Sequence, residues 1–271
     1  MGIAYDRRIM MYEPNSTRWL PVEAEATMQN AASLAGPKID AATYSRKIAE
    51  RFLIDLSWAS SVLEGNSYEY LEAESLIKYG EKAVGRDEFE TTMVLNHKAA
   101  ITFLLEDLIG ETVDPKNLQR LHALLMRGLL DNRDLGKVRA SEVRIGGSSY
   151  RPSADHRILM HDLNQLCWKA SQIKSPCEAS FFLLAGLSYL QTFEDGNKRT
   201  GRLACNVPLL SAGLPPMSFM SMDGAAYIAG LVVFYETGNP AVLADVVVET
   251  YTRIAPLYSS SAATRRVPRG I

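Results

Sequence analysis

Apolar residues recur at steps of three and four along most of the chain, which is the pattern of amphipathic helices. In residues 41–64 this spacing joins positions such as Phe52 and Leu56. Gly65 follows and supplies a helix stop. Further helices are predicted at about 17–34, 88–109, 115–130, 156–172, 177–192, 197–212, 222–236 and 239–256.

One stretch departs from the helical pattern. Residues 138–145 alternate β-branched with charged side chains, Gly146 and Gly147 follow, and Tyr150 resumes an apolar pattern. This arrangement predicts a short β-hairpin over residues 138–152. Because no other strands are predicted, the fold class expected is mainly α with one small hairpin.

The ends of the chain differ in composition from its middle. Residues 1–40 carry three prolines around one short helical pattern, and we expect an N-terminal extension there. Residues 41–258 show no linker and are predicted to form one domain, which includes helix 41–64 and hairpin 138–152. Residues 259–271 are polar and basic, and we expect a disordered tail.

Charge and cysteine content exclude several classes of protein. The chain has 29 Lys+Arg against 31 Asp+Glu and a pI of about 6.1, which argues against a nucleic-acid partner. The three cysteines show no CxxC spacing, which argues against a zinc site and fits a reducing compartment. The longest apolar stretch, residues 181–190, is about half of the ~20 residues that span a bilayer. We therefore expect a cytoplasmic location and no membrane partner.

The most informative run is residues 191–202, QTFEDGNKRTGR. Gly196 permits a tight turn into a helix, whose first backbone N–H groups would form an anion site. These groups belong to Gly196, Asn197, Lys198 and Arg199. Arg199 and Arg202 are three residues apart, so both can reach phosphate oxygens, and Asp195 could hold a magnesium ion that bridges them. The alternative is an ordinary helix N-terminus with solvated basic residues.

This run resembles the Fic motif, HxFx(D/E)GN(G/K)RxxR, of proteins that mostly transfer AMP from ATP to hydroxyl groups of target proteins. The matching positions are Phe193, Asp195, Gly196, Asn197, Lys198, Arg199 and Arg202. Residues 136–152 resemble the flap of that family, in which Ile145, Gly146 and Gly147 would position a target segment by strand addition.

The resemblance implies a Fic-type helical bundle that uses ATP and Mg²⁺. Asp195 would hold the metal, Asn197 would donate to the α-phosphate, and Arg202 would bind phosphate. The partners implied are ATP or ADP and a target protein with a Ser, Thr or Tyr acceptor. A homo-oligomer is left open.

A second element resembles a regulatory motif of the family. Residues 60–65, SSVLEG, are similar to the inhibitory (S/T)xxxE(G/N) motif found upstream of the core in one class. Ser60 and Glu64 are one helical turn apart, so Glu64 could pair with Arg202 where the ATP γ-phosphate would bind. An ordinary helix C-terminus is the alternative.

The run departs from the family at its first position. The motif begins with a histidine, understood as the general base, whereas this chain has Gln191, an amide that cannot accept a proton near neutral pH. Thr192 replaces the usual proline. A positioned base contributes about 10²–10⁴-fold, so the resemblance implies weak or altered AMP transfer.

Four interpretations remain open from the sequence. The chain could be a transferase with another base, for which His156 is the candidate among four histidines, or a transferase whose target is already a good nucleophile. It could be a nucleotide-binding pseudoenzyme. It could catalyse an altered reaction, such as transfer of another phosphate-containing group, or removal of AMP with Glu64 as the base that activates water. Finally, the C-terminal helices could form an interaction surface unrelated to nucleotides.

Overall fold

The most apolar helix lies at the centre of the fold. The computed structural model describes residues 2–34 and 46–258. Helix Pro176–Leu190 is buried at every position from Cys177 onward, as expected for a helix that is apolar on all sides. Helices on several sides of it contribute to one core.

In chain order the elements are β1 (Ile3–Ala4), α1 (Arg8–Met11), α2 (Val22–Leu34), α3 (Arg46–Val62), α4 (Tyr70–Tyr79), α5 (Glu88–Phe103), α6 (Pro115–Met126), β2 (Tyr150–Arg151), α7 (His156–Gln172), α8 (Pro176–Leu190), α9 (Asn197–Ala204), α10 (Asn206–Ser211), α11 (Gly224–Thr237) and α12 (Ala241–Ile254). A π-helical turn, Leu104–Leu108, extends α5, and a 3-10 turn, Ala255–Tyr258, follows α12. The prediction of a mainly α fold is confirmed.

Helix boundaries differ from the predictions in a few places. The single helix predicted at 197–212 is two, because the helical pattern is interrupted at Cys205. Helix α4 was not predicted, although Glu69 and Glu72 form a capping box and Gly80 is a left-handed C-cap. The first residues of predicted helix 41–64 and the tail 259–271 lie outside the described residues.

The predicted hairpin is wrong as a pair of strands. Ile145 and Ser148 do form a turn, with the Ser148 N–H donating to the Ile145 carbonyl at 3.3 Å, but β2 pairs in parallel with β1. The backbone of this segment bonds elsewhere: the Arg139 N–H donates to the Thr192 carbonyl at 3.0 Å, and the Ser149 N–H donates to Glu236 at 2.6 Å. The segment is therefore an extended loop, which we call the flap loop (138–149).

The N-terminal residues 2–34 pack on the core through a buried carboxylate. Glu178 of α8 accepts hydrogen bonds from the Tyr12 hydroxyl at 2.8 Å and from the backbone N–H groups of Trp19 and Leu20 at 2.8 and 2.9 Å. Burial raises the pKa of Glu178 although these donors oppose that shift. No helix in the described part of the chain is long and apolar enough to span a membrane.

Candidate functional site

The turn between α8 and α9 begins at Gln191. This residue has φ 49°, the left-handed conformation that ends α8. Its side-chain Nε2 donates to the Ser188 carbonyl at 2.7 Å, and its Oε1 accepts from Asn197 Nδ2 at 3.2 Å. The amide of Gln191 is therefore hydrogen-bonded within the turn.

Asn197 holds the turn closed from its other end. Its Oδ1 accepts from the Phe193 N–H, and its Nδ2 donates to the Phe193 carbonyl, both at 2.8 Å. Gly196 follows Asp195 with φ 72°, and a Cβ there would lie 2.6 Å from Met126 Sδ. Glycine thus fits both the backbone conformation and the close approach of α6.

Two arginines of α9 are buried beside the turn. Arg199 Nη2 donates to Asp195 Oδ2 at 2.8 Å, while its Nε and Nη1 have no hydrogen-bond partner among the residues that the structure describes. Arg202 is fully buried, and its Nη1 likewise has no partner within the described ranges. Since a buried donor without an acceptor is costly, these nitrogens suit an anionic ligand such as a phosphate.

Glu64 lies against the same arginine. Its Oε1 is 2.7 Å from Arg202 Nη2 and 3.7 Å from Lys198 Nζ. Arg202 also donates from Nε to the Ser60 hydroxyl at 2.9 Å. Burial alone would raise the pKa of Glu64, but the charges of Arg202, Lys198 and Arg199 outweigh it and hold that pKa below its ordinary value. The carboxylate is therefore ionised at neutral pH and occupies part of the cationic site.

His97 of α5 forms a hydrogen bond with the Ser60 hydroxyl and orients it. His97 Nδ1 lies 2.8 Å from the Met93 carbonyl, which can only accept, so Nδ1 carries the proton. His97 Nε2, 2.8 Å from Ser60 Oγ, must then accept from the hydroxyl. Ser60 in turn accepts from Arg202 Nε. Burial lowers the pKa of His97 to about 3, which keeps the ring neutral.

Asp195 is the one acidic residue of the turn whose side chain is mostly exposed to solvent. Its exposed fraction is 62%, and its Oδ1 accepts from the Gly196 N–H at 2.6 Å. The described residues include no group of three or more His, Cys, Asp or Glu that could hold a metal alone. Mg²⁺ is commonly held by one or two carboxylates together with substrate phosphates, so this single carboxylate fits a metal that arrives with a nucleotide.

The flap loop is tied to the turn by Arg139. Its Nε donates to the Gln191 carbonyl and its Nη2 to the Ser153 carbonyl, both at 2.7 Å, and its Nη1 donates to the Ser141 carbonyl. The predicted target-positioning residues Ile145, Gly146 and Gly147 form the turn at the far end of this loop.

The structure thus brings Ser60, Glu64 and the residues of run 191–202 together, with the flap loop joined to them through Arg139. Sequence reasoning missed Arg139, His97 and His122. Both histidines are fully buried, whereas His156 is exposed and its Nδ1 donates to the Arg139 carbonyl at 3.1 Å. No local motif marks buried histidines that contact distant helices, so the sequence offered no signal for them.

A family model, the Fic/DOC family, matches residues 112–209, which include α6, the flap loop and the α8–α9 turn. This segment is therefore similar to the Fic/DOC family. The protein adenylyltransferase Fic of Aedes aegypti is 27% identical over 177 residues, which are 64% of this chain and 35% of that protein. The chain spans about a third of the length of the curated relatives it matches.

Solved structures show the same fold. A Fic family protein from Desulfovibrio desulfuricans G20 has a TM-score of 0.73 at 20% identity, with 95% of this chain and 79% of that chain covered. A Fic domain containing signaling protein from Bacteroides thetaiotaomicron has a TM-score of 0.70 at 17% identity, with 90% and 99% covered. The Fic helical fold therefore extends over most of the described chain.

Proposed function

We propose that this Fic domain binds ATP and transfers AMP from it to a hydroxyl of a target protein, slowly and under inhibition by Glu64. The curated relatives named protein adenylyltransferase support the reaction type. The 2.7 Å contact between Glu64 and Arg202, with Lys198 3.7 Å from the same carboxylate, is the observation that carries the inhibition.

The residues present fit a nucleotide. The N-terminal turn of α9 offers backbone N–H groups and a positive helix end to phosphate oxygens. Arg199 and Arg202 add guanidinium nitrogens that have no partner among the described residues. Asp195 would hold a magnesium ion, which neutralises phosphate charge when it is bound with ATP.

The reaction requires a proton acceptor. The target hydroxyl oxygen forms a bond to the α-phosphorus, the bond to the β-phosphate oxygen breaks, pyrophosphate leaves, and the hydroxyl proton must go to a base. Gln191 stands where the family motif has histidine, and its amide is already bonded to Ser188 and Asn197. The absence of a base at this position supports slow AMP transfer. It also favours, as the second candidate function, a protein that binds nucleotide and transfers no AMP.

Calorimetric titration with ATP and Mg²⁺ tests the site. The proteins compared are the parent, Glu64→Gly, Glu64→Gln, Arg202→Ala and, as a control, Arg133→Ala, which changes an arginine that is 79% exposed. A charge-assisted hydrogen bond contributes about 1.5–3 kcal/mol, so we expect E64G to bind ATP at least about tenfold more tightly than the parent, with E64Q between them.

Arg202→Ala should abolish binding, and Arg133→Ala should bind like the parent. Equal affinity in E64G, E64Q and the parent would overturn inhibition by Glu64. Failure of every protein to bind ATP would overturn the nucleotide site itself.

A further inference from the structure

His122 of α6 lies directly beneath the turn that leads into α9. The residue is fully buried, and its ring is stacked on Phe193 with centroids 4.0 Å apart and an interplanar angle of 12°. His122 Nε2 is 3.0 Å from the Asp195 carbonyl oxygen, and His122 Nδ1 is 3.0 Å from the Gly136 backbone nitrogen. His122 thus contacts both the α8–α9 turn and Gly136, which lies two residues before the flap loop.

The proton positions on this ring follow from its two partners. A backbone N–H can only donate, so His122 Nδ1 accepts from Gly136. A carbonyl can only accept, so His122 Nε2 carries the proton and donates to Asp195. A single neutral tautomer satisfies both. Burial, assisted by the nearby charge of Arg199, lowers the pKa of His122 to about 4, which agrees with a neutral ring at pH 7.

His122 contacts residues that lie immediately before the N-terminus of α9. The Asp195 carbonyl, which His122 holds, directly precedes Gly196, the N-cap of α9. Phe193, on which the ring stacks, is clamped by Asn197, the first residue of that helix. On the other side, Gly136 approaches α6 so closely that a Cβ would lie 2.6 Å from the Gln119 carbonyl oxygen.

We propose that His122 is a positioning residue of the ATP site, which aims the first N–H groups of α9 by holding the Asp195 carbonyl. This inference rests on the proposed function, because it assigns a role in ATP binding. His122 is not placed as a general base, since its protonated Nε2 is directed at a backbone carbonyl. The hydrogen bond that His122 donates to the Asp195 carbonyl positions the turn, and the one that it accepts from the Gly136 N–H does not.

Two substitutions separate those bonds. In His122→Gln the side-chain amide can reach the position of ring Nε2 and donate to Asp195, but it leaves the Gly136 N–H unpaired. In His122→Asn the shorter side chain can accept from Gly136 but cannot reach Asp195. Both lose the stacking on Phe193, so they are matched in the packing that is removed. Thermal unfolding should show similar losses for the two.

Both substitutions are placed in the Glu64→Gly background, and ATP–Mg²⁺ affinity is measured by calorimetry. We expect H122N to weaken ATP binding about tenfold or more, and H122Q to stay within about threefold of E64G alone. Equal affinities in the two double variants, whether lowered or unchanged, would overturn the proposal.

Hydrogen–deuterium exchange of residues 191–199 without nucleotide gives a readout that does not depend on ATP. The turn should exchange faster in H122N than in H122Q. If the exchange differs in this way but E64G binds no ATP, the proposed function fails while the positioning of the turn stands. If E64G binds ATP and the exchange is the same in both variants, the positioning role fails while the function stands.

Discussion

Gln191 and Asn197 are joined side chain to side chain, with Asn197 Nδ2 donating to Gln191 Oε1 at 3.2 Å. Gln191 also donates to the Ser188 carbonyl, so its amide links the end of α8 to the start of α9. Both ends of this amide are therefore used within the turn. A residue at this position can stabilise the turn without taking part in proton transfer.

Replacing Gln191 with histidine should restore a base. In the Glu64→Gly background, we expect Gln191→His to raise AMP transfer about 10²–10⁴-fold over Glu64→Gly alone. The measurement is incorporation of label from ATP labelled at the α-phosphate, including self-modification. Gln191→Ala is the control, because it breaks the same hydrogen bonds without adding a base. A histidine variant that is folded, binds ATP and transfers no more than the alanine variant would show that the base is not the sole defect.

A side chain at Gly196 should destabilise the protein. Its φ of 72° disfavours other residues, and a Cβ would lie 2.6 Å from Met126 Sδ. We expect Gly196→Ala to lower the free energy of unfolding by about 1–3 kcal/mol, measured by denaturant titration. Gly146→Ala is the matched control, because a Cβ at Gly146 meets nothing within 4 Å, and its change should stay within about 0.5 kcal/mol. Equal losses in the two variants would contradict the strain at Gly196.

Sequence patterns correctly predicted the helices whose ends and buried faces depend on neighbouring residues. Helix α7 begins and ends where the apolar periodicity indicated, because its N-cap Asp155 and its buried face are both set by nearby sequence. The flap loop was predicted wrongly for the opposite reason. The alternation in residues 138–145 suits a strand, but the available partners were the distant Thr192, Glu236 and β1 rather than a neighbouring strand.

The candidate site likewise contains residues that the sequence predicted and residues that it did not. The resemblance placed Glu64 beside Arg202 because each lies within a recognisable motif. His97 contacts Ser60 and His122 contacts the Asp195 carbonyl, both distant in the chain, so only the folded arrangement reveals these contacts. The commitment of the Gln191 amide to Asn197 is likewise a matter of rotamer and turn geometry, which residue identity alone does not determine.

Arg139 should affect the target more than the nucleotide. Its guanidinium donates to the carbonyls of Gln191, Ser141 and Ser153, a fork that lysine cannot reproduce. In the Glu64→Gly, Gln191→His background we expect Arg139→Lys to reduce self-modification about tenfold while ATP affinity changes by less than about twofold. Arg144→Lys, at an exposed position of the same loop, should change neither quantity. If Arg139→Lys lowers ATP affinity and AMP transfer to the same extent, Arg139 instead stabilises the nucleotide site.

The buried His97 should make stability fall with decreasing pH. Its pKa is about 3 in the folded protein against 6.5 when unfolded, because burial and the charges of Arg199 and Arg202 disfavour the imidazolium, although Glu64 and the Met93 carbonyl oppose this. Between these two values the unfolded chain binds more protons, so the free energy of unfolding decreases as the pH is lowered. The contribution between pH 6.5 and 5 is on the order of 2 kcal/mol.

The measurement is urea unfolding at a series of pH values for the parent and His97→Gln. Glutamine can accept from the Ser60 hydroxyl and has no proton to gain in this range. We expect the difference in stability between the two proteins to shrink as the pH falls from 6.5 to 5, because only the parent loses the histidine contribution. A difference that stays constant across this range would mean that His97 titrates alike in the folded and unfolded chain, and the neutral His97–Ser60–Arg202 chain of hydrogen bonds would then be wrong.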